Sequence, residues 1–265
     1  MKQSQAKKRD NAMTNKILMG LIALVLGLLF LEILIVHSKN EQQKNASNQV
    51  QTARIMANGD LLYHDGLYMS ALQADGSYDF TENFTYVKPW LKQADLVLGD
   101  FEGTINPDYP LSGYPLFNAP QSVTAAIKDA GYDVMDLAHN HILDSGLEGA
   151  FTTADAFKKV GIDPIGVYEK PVRDKAPLLI KNVNGIKVAI LSYAYGYNGL
   201  ESNLTDKEVA DHLSNLDEKR MKAEIQRAEK EADITVIMPQ MGVEYRLEPT
   251  DEQVKLYHKM IDWGA

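Results

Sequence analysis

His139, Asn140, His141 and Asp144 crowd into one short turn. Two imidazoles, an amide oxygen and a carboxylate at this spacing suit divalent-metal ligation or an acid/base pair. The bland alternative is a polar, solvated loop. A buried-strand pattern, Tyr132 to Leu137, leads into the turn, and Ser145-Gly146-Leu147-Glu148 follows it with the form of a capping box opening a helix to about residue 160.

Four other apolar runs end in the same way. Arg54 to Asn58 runs into Gly59-Asp60, and Asp95 to Leu98 into Gly99-Asp100-Phe101-Glu102. Val188 to Leu191 leads to Ser192 and Tyr195, and Ile234 to Ile237 to Gln240-Met241-Gly242-Val243-Glu244. Short continuous apolar runs suit strands covered on both faces. Helical patterns separate most of them, so the expected fold class is α/β, with mixed, mainly parallel sheets covered by helices.

Ligands in such sheets bind beyond the carboxyl ends of the strands. Asp60, Asp100, Glu102, His139, Asn140, His141, Asp144, Gln240 and Glu244 are therefore expected on one rim.

The connecting segments refine this frame. A helix is expected over residues 84–93, another near 122–130, and a long structured loop with four prolines over 106–120. Asn184-Gly185 between residues 178–183 and 186–192 signals a hairpin, hence one antiparallel pair. Residues 216–231 read as a covering helix with Met221, Ile225 and Ala228 inward, and Thr250-x-x-Gln253 caps a last helix. Tyr193, Tyr195 and Tyr197 alternate at a strand end, where they would stack on sugars or pack into the core and rim. His64 follows Asp60 closely enough to approach the rim; His212 reads as solvated and His258 as structural.

Ile17 to Val36 is a 20-residue apolar stretch interrupted only by Glu32, long enough to span a bilayer. Lys2, Lys7, Lys8, Arg9 and Lys16 precede it, which places the N-terminus in the cytoplasm and the main domain outside the cell. The expected organisation is a cytoplasmic tail over 1–16, a membrane anchor over 17–36, a linker over 37–53 and a domain over 54–265. A cleaved signal peptide is the alternative, although no Ala-x-Ala-like site follows Val36.

Cysteine is absent, which removes disulfides, thiolate metal sites and a Cys nucleophile. The chain carries −9; residues 1–36 hold five basic and two acidic side chains, so the remainder carries −12. An acidic domain without a basic cluster argues against a nucleic-acid partner and is compatible with cation binding.

Gly59-Asp60, Ala94-Asp95-Leu96 to Glu102, Phe117-Asn118-Ala119-Pro120, Ala130-Gly131-Tyr132-Asp133, Asn140-His141-x-x-Asp144-x-Gly146 and Gly242-Val243-Glu244-Tyr245 occur in this order. With that series the chain resembles the CapA family of capsule and poly-γ-glutamate synthesis proteins from about Arg54 to Ala265. The resemblance implies a calcineurin-like metallophosphoesterase architecture on the outside of a bacterial membrane, and a role in making, exporting or anchoring an anionic polymer. It also implies two divalent metal ions, Mn²⁺, Mg²⁺, Zn²⁺ or Fe, and a metal-dependent hydrolase or transferase acting on a phosphoester or polymer-linked substrate.

Carried over by motif, Asp60, Asp100 or Glu102, and Asn140 are implied as metal ligands, with His139 and Gln240 as further candidates. His141 is implied as acid or transition-state stabiliser, and Asp144 and Glu244 as catalytic or substrate-contacting carboxylates. Two departures stand against this. Gln240-Met241-Gly242 replaces a family His-Trp-Gly or His-Met-Gly, and a following strand with a Gly-His-x-Pro-His-like segment is expected beyond Ala265, so the C-terminal part of the domain is expected to be missing. They favour the alternative of a non-catalytic scaffold among membrane synthase or export subunits. A third reading gives Asp100 or Glu102 an acid/base role with Asp144 on a glycan or peptide polymer, without metal.

Overall fold

A computed structural model describes residues 31–39, 50–170 and 177–265. Residues 31–39 are helical with exposed side chains. Most of the expected anchor (17–30), the expected tail and most of the linker lie outside the described residues, among which no helix is long and apolar enough to cross a membrane. Residues 51–265 form a compact unit of their own.

Among the described residues, seven strands make two sheets. The first is wholly parallel, in the order β1 (Ile55–Asp60), β2 (Leu96–Asp100), β3 (Val134–Asp136) and β4 (Asp163–Ile165). The second pairs β5 (Leu179–Val183) antiparallel to β6 (Ile186–Ala194), and β6 parallel to β7 (Ile234–Gln240). The antiparallel pair expected from the Asn184-Gly185 turn is present, but it heads a separate sheet instead of extending the first.

Leu96, Leu98, Val134 and Ile165 from the first sheet form one buried cluster with Val183, Val188 and Ile190 from the second. Each such side chain is worth about 1.5–3 kcal/mol of burial, so this apolar seam holds the sheets face to face. The outer face of the first sheet carries α1 (Asp65–Ala71), α3 (Val123–Ala130) and α4 (Gly146–Lys159), whose Tyr68, Ile127 and Phe157 join a second cluster. After the short helix α5 (Asp206–His212), helices α6 (Glu218–Glu231) and α7 (Asp251–Trp263) cover the other sheet through Met221, Ile225, Ala228 and Met260. Layering of helix, sheet, sheet and helix explains why β2, β3 and most of β6 are buried along their length.

Local signals are met in most places. Asn184 and Gly185 both take positive φ, 53° and 90°, as a two-residue hairpin turn requires. Thr250 and Gln253 form the reciprocal cap of α7. The expected helix over 84–93 is instead a 3₁₀ turn (Thr81–Phe84) and one short helix, α2 (Lys88–Leu91). Ser145 does not cap α4 with its side chain, because its hydroxyl donates inward to Thr104 Oγ1 at 2.8 Å.

Candidate active site at the carboxyl ends of the strands

The rim residues named from sequence lie at the carboxyl ends of strands or in the segments that follow them, and Asp100, Glu102, His139, Asn140 and Asp144 are buried there. β1 and β2 run in register from Ile55/Leu96 to Ala57/Leu98, then shift, so that Asp60 rather than Gly59 stands opposite Asp100. Asp136 ends β3 directly across from Asp100. Three strand-terminal aspartates thus stand side by side, and Glu102 follows two residues later.

The electrostatic consequence is large. Among the described residues no N–H or hydroxyl donor reaches the buried Asp100 Oδ1; what approaches Asp100 instead is the carboxyl of Asp60, which also lies within hydrogen-bonding reach of Glu102. Burial, then Asp136, Asp60 and Glu102, push the Asp100 carboxyl up to about 10. Burial and Asp60 likewise push Glu102 up to about 7. Burial raises Asp136 to about 7, although Ser192 Oγ and the Ala138 N–H donate to it. Carboxyls crowded in this way hold protons or a cation between them.

The next turn carries the bases. His141 Nδ1 lies 2.8 Å from Asp144 Oδ2, and its Nε2 faces Glu102 Oε1 at 3.9 Å. Burial disfavours the imidazolium, but Asp144, Glu102 and Glu244 outweigh it and raise the His141 pKa. Phe117 closes against the ring at a centroid distance of 4.8 Å, nearly perpendicular, and its N–H donates to Asp144 Oδ2 at 2.6 Å. Asp144 therefore acts from behind His141; it does not line the main cleft.

His139 is fully buried, and its Nδ1 accepts the His141 N–H at 3.2 Å. Among the described residues its Nε2 makes no well-formed hydrogen bond, although the Phe101 backbone stands close to the ring. Burial, with His141 nearby, pushes its pKa down to about 3, so the ring is neutral in the fold. Asn140 is also buried; its Oδ1 accepts from Gln240 Nε2 at 3.4 Å, the last residue of β7.

Asp60, Glu102, Asn140, Gln240 and Glu244, with Tyr195 and Arg246, line a cleft of about 590 Å³. Tyr195 is half exposed there, whereas Tyr193 is buried and donates to Glu224 Oε2 at 2.7 Å. Among the other histidines, His64 Nδ1 accepts the Asp65 N–H and its ring packs edge-on against Phe117, which ties it to the loop over 106–120. His212 is not simply solvated: it bonds the Tyr168 carbonyl at 2.7 Å and packs against Phe151.

The chemistry of this donor set fits a divalent cation: oxygen-rich, mutually repelling and short of hydrogen-bond donors. Among the described residues, however, no three His, Asp or Glu side chains are gathered as a ready-made ligand sphere. The fit lies in the orphaned Asp100 oxygen and the crowded acids around it.

Comparison with known proteins agrees with the sequence motifs. The bacterial capsule synthesis protein family PGA_cap matches residues 54–265. This chain belongs to that family. A capsule biosynthesis protein CapA of Bacillus anthracis is 31% identical over 191 residues, 69% of this chain and 46% of the relative. A PGA biosynthesis protein CapA of Bacillus subtilis (strain 168) is 26% identical over 261 residues, 97% of this chain and 66% of the relative. The chain thus spans between about half and two-thirds of the curated family members it matches. Among solved structures, a Staphylococcus aureus protein provisionally assigned as a 5'-nucleotidase, in complex with alpha-ketoglutarate, superimposes with a TM-score of 0.49 at 13% identity, over 79% of this chain and 42% of that one. So distant a likeness carries no argument.

Three site residues escape a reading of the family motifs. Asp136 has the look of a core-strand residue, and nothing local announces that it stands beside Asp100. Ser192 marks only a strand end, yet it supports Asp136 from the other sheet. Asn198 belongs to no periodic pattern; its signal is the Asn-Gly pair, which marks a turn.

Proposed function

We propose that this chain is the membrane-anchored, extracytoplasmic part of a capsule or poly-γ-glutamate pathway, and that its cleft performs cation-dependent hydrolysis or transfer on a phosphoester or polymer-linked substrate. One observation carries the reading: Asp60, Asp100 and Glu102 crowd together without donors, beside a His141–Asp144 pair. Family membership supports the pathway, and the N-terminal charge asymmetry supports the anchor.

Asp60, Asp100, Glu102 and the Asn140 amide oxygen would hold the ion. Such an ion, when bound, supplies Lewis-acid charge at a scissile phosphoryl group and lowers the pKa of a water. The protein's own part is separable. Asp144 holds the His141 ring through Nδ1, so that Nε2 is directed toward Glu102 of the cleft lining and can donate a proton to a leaving oxygen bound beside it. Phe117 limits the ring's motion and excludes water from that side.

A second reading, a non-catalytic scaffold among synthase or export subunits that handle an anionic polymer, draws on Gln240. Its Nε2 donates to Asn140 Oδ1, the atom that the amide would offer to an ion. A neutral amide stands there, weaker than an imidazole as a ligand.

The test is metal content by elemental mass spectrometry together with phosphodiester and phosphomonoester turnover, for the purified chain and Asp100→Ala. Bound ion and turnover, both lost in the variant, support the enzyme. Neither in the parent, with polymer retained, moves the reading to the scaffold. Turnover that survives a chelator but is lost in Asp100→Ala identifies acid/base chemistry by the crowded carboxyls alone.

A further inference from the structure

We propose that Asn198 is a positioning residue of the site, which sets the end of Asn140 that faces the cleft and holds the plane of the His141 ring. The proposal builds on the cleft as a cation site, and it concerns a residue in the loop after β6 of the second sheet, outside the rim described by the motifs.

Asn198 stands in the loop after β6, at φ 56°, followed by Gly199 at φ 81°. Two successive left-handed residues turn the chain back sharply, and asparagine is among the few side chains that tolerate this. The turn brings its amide onto the Asn140-His141 segment of the other sheet. Asn198 Oδ1 accepts from Asn140 Nδ2 at 3.2 Å. Asn140 Oδ1 in turn accepts from Gln240 Nε2 at 3.4 Å. Three amides from β6's loop, β3's turn and the end of β7 are therefore linked head to tail.

With its neighbours in this arrangement, turning Asn140 alone end for end would set two oxygens together at Asn198 and two nitrogens together at Gln240. Asn198 thereby directs the Asn140 oxygen away from itself and toward the cleft side, where Gln240 lies.

The same amide makes a second contact. Asn198 Nδ2 lies 3.4 Å from both His141 Nδ1 and His141 Nε2. An atom equidistant from both nitrogens at that range and in the ring plane would collide with the carbon between them, so the amide nitrogen sits over the ring face. It competes for neither nitrogen: Nδ1 stays with Asp144 and Nε2 stays directed toward Glu102. Asp144 fixes the ring by one edge; Asn198 limits its rotation about that edge.

Two substitutions separate this role from turn geometry. Asn198→Gly keeps the left-handed backbone and removes the amide. Asn198→Asp also tolerates the backbone, keeps the acceptor for Asn140 Nδ2 and gives up the amide nitrogen. The full chain, labelled with ¹⁵N-asparagine and kept metal-free, reports the Asn140 side-chain amide directly, with its signal identified by its loss in Asn140→Asp. Mn²⁺ affinity of the same proteins is measured by titration.

Hydrogen exchange of the Asn140 amide is expected to quicken at least tenfold in Asn198→Gly and to stay near the parent in Asn198→Asp. Mn²⁺ binding is expected to weaken about tenfold or more in Asn198→Gly, as for other residues that orient a ligand, and to recover in Asn198→Asp. The proposal is overturned if Asn198→Gly leaves exchange within twofold of the parent, or if Asn198→Asp loses protection as Asn198→Gly does. A parent that binds no Mn²⁺ sinks the cation reading, and the exchange measurement then decides the placement by itself.

Discussion

Asp144 Oδ2 lies 2.8 Å from His141 Nδ1 and accepts the Phe117 N–H at 2.6 Å through the same oxygen. One carboxylate oxygen therefore holds both the candidate acid and the loop that closes on it. The long segment over 106–120 is built for this contact: buried Asn118 accepts the Asn106 N–H and donates to the Asn106, Tyr109 and Pro110 carbonyls, which fixes Phe117 against the ring.

Asp144→Asn keeps the shape and removes the charge. We expect the His141 pKa to fall, since Asp144 is its main support against burial, and turnover to drop between about tenfold and a thousandfold. An imidazole NMR titration and a pH–rate profile check this. An unchanged alkaline limb would remove His141 from the role of acid.

The crowded carboxyls set the pH dependence of the metal-free protein. Asp100 and Glu102 have folded values raised to about 10 and about 7, above their ordinary 3.8 and 4.5. Raised carboxyls contribute stability that is fully present below their unfolded values and is lost as pH rises through the folded ones. Stability from this pair should therefore decline from about pH 4 upward, most steeply for Glu102 before pH 7. A bound cation displaces those protons, so the thermal shift produced by Mn²⁺ or Mg²⁺ should grow between pH 5.5 and 8. Differential scanning fluorimetry across that range decides it; a shift that shrinks with pH would show the ion binding elsewhere.

His139 works in the opposite direction at low pH. Its folded value of about 3 lies below the ordinary 6.5, so the fold favours the neutral ring. That contribution is present above pH 6.5 and is lost as pH falls toward 3. His139→Gln, which keeps a polar side chain that need not charge, should flatten the acid limb of the stability curve in urea titrations at pH 4 and 7. An unaltered limb would assign acid unfolding to other groups.

Gly166 directly follows β4 at φ 93°, and a Cβ there would stand 2.5 Å from the Ala138 backbone nitrogen. Gly166→Ala must push back the strand end that carries His139, Asn140 and His141. A loss of about 1–3 kcal/mol in urea unfolding is expected, with a fall in cation affinity as well. Stability lost with affinity intact would mean that the turn moves independently of Ala138.

Ile225 is fully buried on α6 beneath the second sheet. Ile225→Ala should cost about 2–5 kcal/mol while leaving Mn²⁺ affinity of the folded protein unchanged, because it touches no rim residue. A matching loss of affinity would couple that helix to the cleft.

Much of the site is legible from residues alone because its signals are local. An apolar run closed by glycine and an acid marks a strand end, and parallel strands deliver their ends to one rim; Asp60, Asp100, Asn140, Gln240 and Glu244 follow from that. The Asn184-Gly185 turn, the Thr250 cap and the inward face of α6 are likewise written in a few neighbouring residues. Pairing across the fold is not. The division into two sheets, the neighbour relation of Asp136 and Asp100, the inward turn of Ser145 to Thr104 and the reach of Asn198 across to Asn140 and His141 depend on register between segments tens of residues apart. Side-chain type and spacing state what each segment can offer. Which carboxyls then repel one another, and which amide holds which ring, is decided only when the strands have chosen partners and burial has removed the water that would otherwise satisfy each group separately.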